Sequence, residues 1–229
     1  MIQRLQNIDA NVFIARKNTR NMLQYRWRKE AEATMKKRLG IDIDGTVTCP
    51  STFIPYLNQS FQKELTLAEI TQYNLAPLYG TTEEEMDQWM EQYEAMIYEQ
   101  APLAQHALEM INSWKDEYEL FYISARGKHL YNITEQWFKK NGVHYHHIEL
   151  VGSHDKIAAV KAFDIAAFFE DKYDNACDIA EQCGIPVILF DTPYNQGPLP
   201  KQVIRVNTWI EAKQQLEQWF HTVQENISL

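Results

Sequence analysis

The chain has 229 residues, 45% hydrophobic and 23% charged, with a formal net charge of −9, proportions that fit one large globular domain or a domain with a small companion. The acidic balance argues against a nucleic acid polymer bound through a basic surface. No apolar run approaches the ~18 residues a membrane helix needs, and the N-terminus lacks the apolar segment of a secretory signal.

Residues 1–34 hold seven Lys/Arg against three Asp/Glu and contain neither Gly nor Pro. They predict a basic N-terminal extension, taken here as 1–37, before the first strand. That strand is expected at about 38–44, in "RLGIDIDGTVTCP", where Leu39, Ile41 and Ile43 alternate with Gly40 and Asp42. Roughly 70 residues then pass before the next strand, far more than a plain crossover requires. They include "TTEEEMDQWMEQYEAMIYEQ", a helix with Thr81 or Thr82 as cap and glutamates in its first turn. Met86, Trp89, Met90, Tyr93 and Ile97 fall along one face of that helix. The interval predicts a helical cap over 49–100, inserted into a core domain of 38–48 and 101–229.

Beyond the insertion, strand and helix alternate. "ELFYISA" is a second strand, and His129–Asn141 a helix ended by Gly142. "HHIELVG" is a third strand, with a helix starting near Asp155. "IAAFFED" is a fourth, followed by a helix to Cys183 and Gly184. "PVILFD" and "VIRV" complete the strands, and a helix from about Trp209 closes the chain. This rhythm predicts an α/β fold, a Rossmann-like parallel sheet with helices on both faces. Such sheets bind ligands at the carboxyl ends of their strands.

The chemistry concentrates at those ends. Asp42 and Asp44, two apart on a strand, are expected on one face. Two close carboxylates repel and call for a cation; Mg²⁺ suits them because it prefers oxygen ligands and keeps sites for phosphate oxygens and water. Asp42 can then attack phosphorus as a nucleophile, and Asp44 can protonate the leaving oxygen and later activate water. The pattern D-x-D-G-T arises by chance at about one in 10⁵ positions. Ser124, with Ala125 and Arg126, ends the second strand and offers a hydroxyl, backbone amides and a cation to a phosphate. Lys156 follows the third strand and can neutralise phosphate and attacking carboxylate together. Of the adjacent pair after the fourth, Asp171 is expected at the metal with Asp42 and Asp44, and Glu170 behind them as a support.

These residues resemble the haloacid dehalogenase superfamily of phosphatases. Asp42-Ile43-Asp44-Gly45-Thr46-Val47 matches its first motif, Ser124 its second, Lys156 its third and Glu170-Asp171 its fourth. The resemblance spans about residues 38–210. More narrowly, "LGIDIDGTVTCP", "ISAR" and "FFEDKYDNA" are similar to bacterial nucleotidases related to 5′(3′)-deoxyribonucleotidases. It implies Mg²⁺-dependent hydrolysis of a phosphomonoester, a (deoxy)nucleoside monophosphate, through a phospho-aspartate. Thr46 is expected at the substrate. Phe53 and Tyr56 are well placed for a base.

Other features have plainer readings. His144, His146 and His147 suit a strand entering from a polar loop better than a zinc site, while His154, beside Lys156, is a candidate for substrate contact. Asn195 in "DTPYNQG" reads as a turn former. Cys49, Cys177 and Cys183 form no C-x-x-C, which favours a reducing, cytoplasmic setting. A homo-oligomer is compatible with the composition. Two alternatives use the same residues: a phosphatase of a sugar phosphate or other small metabolite, and a phospho-accepting signalling or binding module without turnover.

Overall fold

The computed structural model describes residues 36–227, with side chains to residue 222; the basic extension therefore lies almost wholly outside the described residues. Six strands form one sheet: β1 (Arg38–Ile41), β2 (Glu119–Ser124), β3 (His147–Leu150), β4 (Ile165–Glu170), β5 (Val187–Phe190) and β6 (Val203–Val206). Every pairing is parallel, and the order is β3-β2-β1-β4-β5-β6. The chain runs outward from β1 to β3, then crosses back to lay β4 on the other side of β1. The strand order therefore reverses at β1/β4, which opens a crevice at their carboxyl ends.

Alternation along each strand divides the core in two. Leu39, Ile41, Ala167, Phe169, Ile188 and Phe190 face one layer with Trp114, Trp137, Phe138 and Trp209. Phe168, Val187 and Leu189 face the other, with Ala176, Ile179 and Ala180. The first layer is covered by α4 (Ala107–Ser113), α5 (Tyr131–Asn141) and α8 (Trp209–Ile227), the second by α6 (Ile157–Ala162) and α7 (Tyr173–Cys183). Gly142 and Gly184 end α5 and α7 in the left-handed conformation, as the sequence suggests.

Between β1 and β2 the chain forms α1 (Ile54–Phe61), α2 (Ala76–Tyr79) and α3 (Glu83–Gln100). Thr82 and Glu85 close a capping box at the start of α3, with Glu83 and Glu84 beside them. This segment packs a small apolar cluster of its own, built on Leu57, Ile70, Tyr79, Trp89 and Ile97. The two ends of the excursion are tied together. Thr48 bridges Leu103, the Cys49 N–H donates to the Pro102 carbonyl at 2.8 Å, and the Ala104 N–H to that of Val47 at 2.8 Å. Trp137 anchors this neck through a 2.8 Å bond to the Ala101 carbonyl.

The first strand is shorter than the sequence suggests. Ladder pairing ends with Asp42, whose N–H donates to the Phe169 carbonyl at 2.9 Å, and Ile43–Val47 forms one wide turn. Gly45 makes the turn possible. It sits at φ 78°, and a Cβ there would overlap the Asp171 carboxylate. Among the described residues no helix is long and apolar enough to cross a membrane.

Candidate active site

Four strand ends converge on a cavity of about 490 Å³ between the sheet edge and the α1–α3 segment. Its floor is charged and buried. Asp42 leaves β1, and Glu170 and Asp171 leave β4. These three carboxylates each offer an oxygen within 4.8 Å of the others. Lys156, just before α6, has its side chain 2% exposed and pairs with Asp42 and, at 2.8 Å, with Glu170. The other Glu170 oxygen accepts the Lys172 N–H at 3.1 Å. Three buried carboxylates against one ammonium leave excess negative charge. Burial, aided by Glu170 and Asp44, pushes the Asp42 carboxyl up to about 7 against the pull of Lys156. Burial, with Glu170 and Asp42 beside it, raises Asp171 well above the ordinary carboxylate range. Burial opposes the charge on Lys156, but Asp42 and Glu170 outweigh it and hold the ammonium firmly protonated. All three shifts answer one condition: a desolvated, over-negative site gains from any added positive charge. Oxygen donors in this number fit Mg²⁺.

Asp44 stands apart from this group. The sequence reading assigns it to the metal, but the wide turn breaks strand alternation and sends its carboxylate to Arg126. The Arg126 Nε donates to Oδ2 at 2.8 Å and Nη2 to Oδ1 at 2.7 Å. Arg126, expected at the phosphate, commits its guanidinium to Asp44 while still lining the cavity. Its Nη1 donates to Thr134 Oγ1 at 3.0 Å, and only its backbone N–H turns to Ser124, at 3.3 Å from Oγ. Glu170 moves the other way, into the carboxylate cluster, because Asp171 lies past the end of β4 where the face rule no longer applies.

The other expected residues divide. Ser124, Ala125, Phe53 and His154 line the cavity. Thr46 does not: it is buried below the turn, its Oγ1 has no hydrogen-bond partner, and its carbonyl accepts Trp209 Nε1 at 3.2 Å. Tyr56 packs against the apolar cluster of the insertion instead of lining the cavity. His144 and His146 meet edge to face at 4.8 Å, and His146 Nδ1 accepts the Leu120 N–H, so the pair helps seat β2.

Sequence reasoning misses two tyrosines and undervalues an asparagine. Tyr194 donates to Asp171 Oδ2 at 2.5 Å. Asn195 is fully buried and donates to the carbonyls of Asp171 at 2.7 Å and Phe190 at 2.6 Å. It steadies the loop that carries Asp171. The available signal is position, since "DTPYNQG" leaves β5 at the carboxyl edge. Tyr73, on the loop before α2, sits over the floor: it meets His154 at 5.4 Å, Tyr194 at 6.0 Å, and the Lys172 ammonium at 4.3 Å. The roof is completed by α3, which presents Met86, Met90, Glu94 and Tyr98 at four-residue intervals.

No family model matches the chain. It is 54% identical over 184 residues to "Putative nucleotidase BH1399" of Halalkalibacterium halodurans, covering 80% of this chain and 94% of that protein. It is 52% identical over 177 residues to "Putative nucleotidase YqfW" of Bacillus subtilis, covering 77% and 92%. Among solved structures, a haloacid dehalogenase family hydrolase of Deinococcus radiodurans with bound phosphate and sodium superposes with a TM-score of 0.58. The identity is 15%, over 80% of this chain and 96% of that one. The YfnB hydrolase of Bacillus subtilis, bound to magnesium, gives 0.55 at 12% identity, over 80% and 99%. At such identities the structural likeness establishes the fold.

Proposed function

The chain belongs to the bacterial nucleotidase family of those relatives, on the fold of the haloacid dehalogenase-like hydrolases, and from that premise we propose that it hydrolyses (deoxy)nucleoside monophosphates through a phospho-aspartate on Asp42. It is an enzyme of the phosphatase class. The observation that carries the mechanism is the sealed grouping of Asp42, Glu170 and Asp171 with Lys156 at the point where strand order reverses. Its excess negative charge favours a divalent cation, and Asp42 and Asp171 would hold it, with Glu170 alongside. The ion would neutralise charge on the phosphoryl oxygens.

An Asp42 oxygen attacks phosphorus in line, and the bond from phosphorus to the nucleoside oxygen breaks. Asp44 gives that oxygen its proton, and the nucleoside leaves. Water then attacks the phospho-aspartate, Asp44 takes the water's proton, and phosphate departs. Lys156 holds Asp42 in place and faces the same oxygens. The Ser124 hydroxyl and the amides after it form the opposite wall. We assign residues 49–100 the part of a cap that excludes water and selects the leaving group. A cytoplasmic setting is part of this reading, on the three free thiols.

The test is phosphate release from a panel of nucleoside monophosphates and sugar phosphates, with Mg²⁺ or EDTA, by the wild type and Asp42→Asn. Turnover that needs Mg²⁺, prefers nucleotides and vanishes in Asp42→Asn is expected. Preference for a sugar phosphate would overturn the substrate, and a fully active Asp42→Asn the mechanism.

A further inference from the structure

Arg126 makes a larger commitment than a turn residue after a strand needs. Its side chain is 0% exposed, its guanidinium lies 3.8 Å from the centre of the Tyr98 ring, and Thr134 closes the slot behind it. An arginine taken out of water at this cost is stable only when its donors are matched. Here two of them grip the two oxygens of one carboxylate in the fork geometry that fixes both position and plane. That carboxylate, Asp44, is only two residues from Asp42, and its side chain is 28% exposed toward the cavity. Each of its oxygens accepts one bond from Arg126 and keeps further acceptor capacity on the open side.

Resting on the phosphatase reading above, we propose that Arg126 is a positioning residue for Asp44, aiming its carboxylate at the leaving group and keeping it out of the cation-binding cluster. Four carboxylates crowd this sheet edge, and a Mg²⁺ site uses one or two together with water and phosphate oxygens. Without a competing partner, Asp44 is close enough in sequence, on a turn that pivots at Gly45, to be drawn to the cation as another ligand. Arg126 and Lys156 therefore divide the carboxylates between two duties. Lys156 takes the nucleophile's group and Arg126 takes the proton carrier. Tyr98 lies near the end of α3, so the slot also joins the proton carrier to the roof.

The prediction separates leaving groups. An alkoxide leaving from a nucleotide needs the proton that Asp44 delivers, whereas p-nitrophenolate leaves without one. In single-turnover rapid-quench measurements, which read leaving-group release before the phospho-aspartate is hydrolysed, Arg126→Gln is expected to slow release from nucleoside monophosphates about 100-fold, the scale of a misplaced general acid, but release of p-nitrophenolate by less than about three-fold. Asp44→Asn is expected to give the same split in that release step while slowing steady-state turnover of both esters, because activation of water also needs Asp44. The double variant should show no further loss in the release step, because both changes remove one function. Equal losses in the release step on the two esters, or losses there that multiply in the double variant, would overturn the proposal. If circular dichroism finds Arg126→Gln unfolded, Arg126→Lys, which keeps a cation in the slot but loses the fork, makes the same comparison under the same criteria. A wild type that hydrolyses neither ester would instead overturn the phosphatase reading itself.

Discussion

The floor of the cavity holds Asp42, Glu170, Asp171 and Lys156 almost without exposure, whereas its roof is the α1–α3 segment with Met86, Met90 and the half-open Tyr73. The floor is part of the sheet: its charges hang from strand ends whose other residues form the main core. The roof rests on a separate small cluster and is joined to the sheet by a two-stranded neck. Floor and roof are thus parts with different tolerances. A change in the floor meets uncompensated buried charge, and a change in the roof meets mainly lost contact.

That contrast can be broken most directly at Lys156. Lys156→Met should cost about 3–5 kcal/mol of stability, because it strands carboxylates that nothing else in the floor neutralises. It should also lower kcat by about 10²–10³-fold. Denaturant melts with and without Mg²⁺ check the first, and Mg²⁺ should restore part of the loss. A Lys156→Met protein as stable as wild type would mean that the floor is not a strained charge system.

Gly45→Ala comes next. The left-handed backbone costs about 1–2 kcal/mol for alanine, and the new methyl group must displace the Asp171 carboxylate. Displacing a group in the reacting assembly by about 1 Å lowers rate by roughly 10²-fold, measurable as kcat at saturating Mg²⁺. Unchanged turnover would place Asp171 outside the working site.

A third measurement uses pH. Asp42 ionises near 3.8 in the unfolded chain and at about 7 in the fold. Between those values the folded state binds more protons, so this group's contribution to stability falls as pH rises through the window. Metal-free protein should accordingly melt a few degrees lower at pH 8 than at pH 5.5, and Mg²⁺ should raise Tm more at pH 8. The gap between the two pH values should shrink in Asp42→Asn. A Mg²⁺ gain that is larger at pH 5.5 would reverse the assigned sign.

The smallest effect belongs to the roof. Tyr73→Ala should raise KM for nucleotides by about 3–10-fold, the scale of one aromatic contact, with kcat within about two-fold and stability within about 0.5 kcal/mol, as for an exposed side chain. A collapse in kcat would show the roof sharing in the chemistry.

Much of the framework is legible in the order of the residues alone. The alternation of short apolar strands with amphipathic helices predicts the parallel sheet, because a strand buried on both faces and a helix buried on one leave different periodicities. The long interval ahead of "ELFYISA" marks the insertion for a similar reason. The first strand is expected to run on to Asp44 because Asp42, Ile43 and Asp44 continue the alternating pattern by composition, yet it ends at Ile41. The turn that interrupts it depends on Gly45 finding space beside Asp171, a residue far away along the chain. Tyr194 and Asn195 are hidden in a loop whose composition is that of any turn.

Chain order and strand polarity are enough to say which groups meet at the sheet edge: carboxylates from β1 and β4, a hydroxyl from β2 and a lysine after β3. How those groups pair is settled in three dimensions. Arg126 takes Asp44 and Lys156 takes Asp42 and Glu170 because side-chain direction beyond a strand end follows the local turn, and because the partner of a buried charge is whichever opposite charge folding brings within reach.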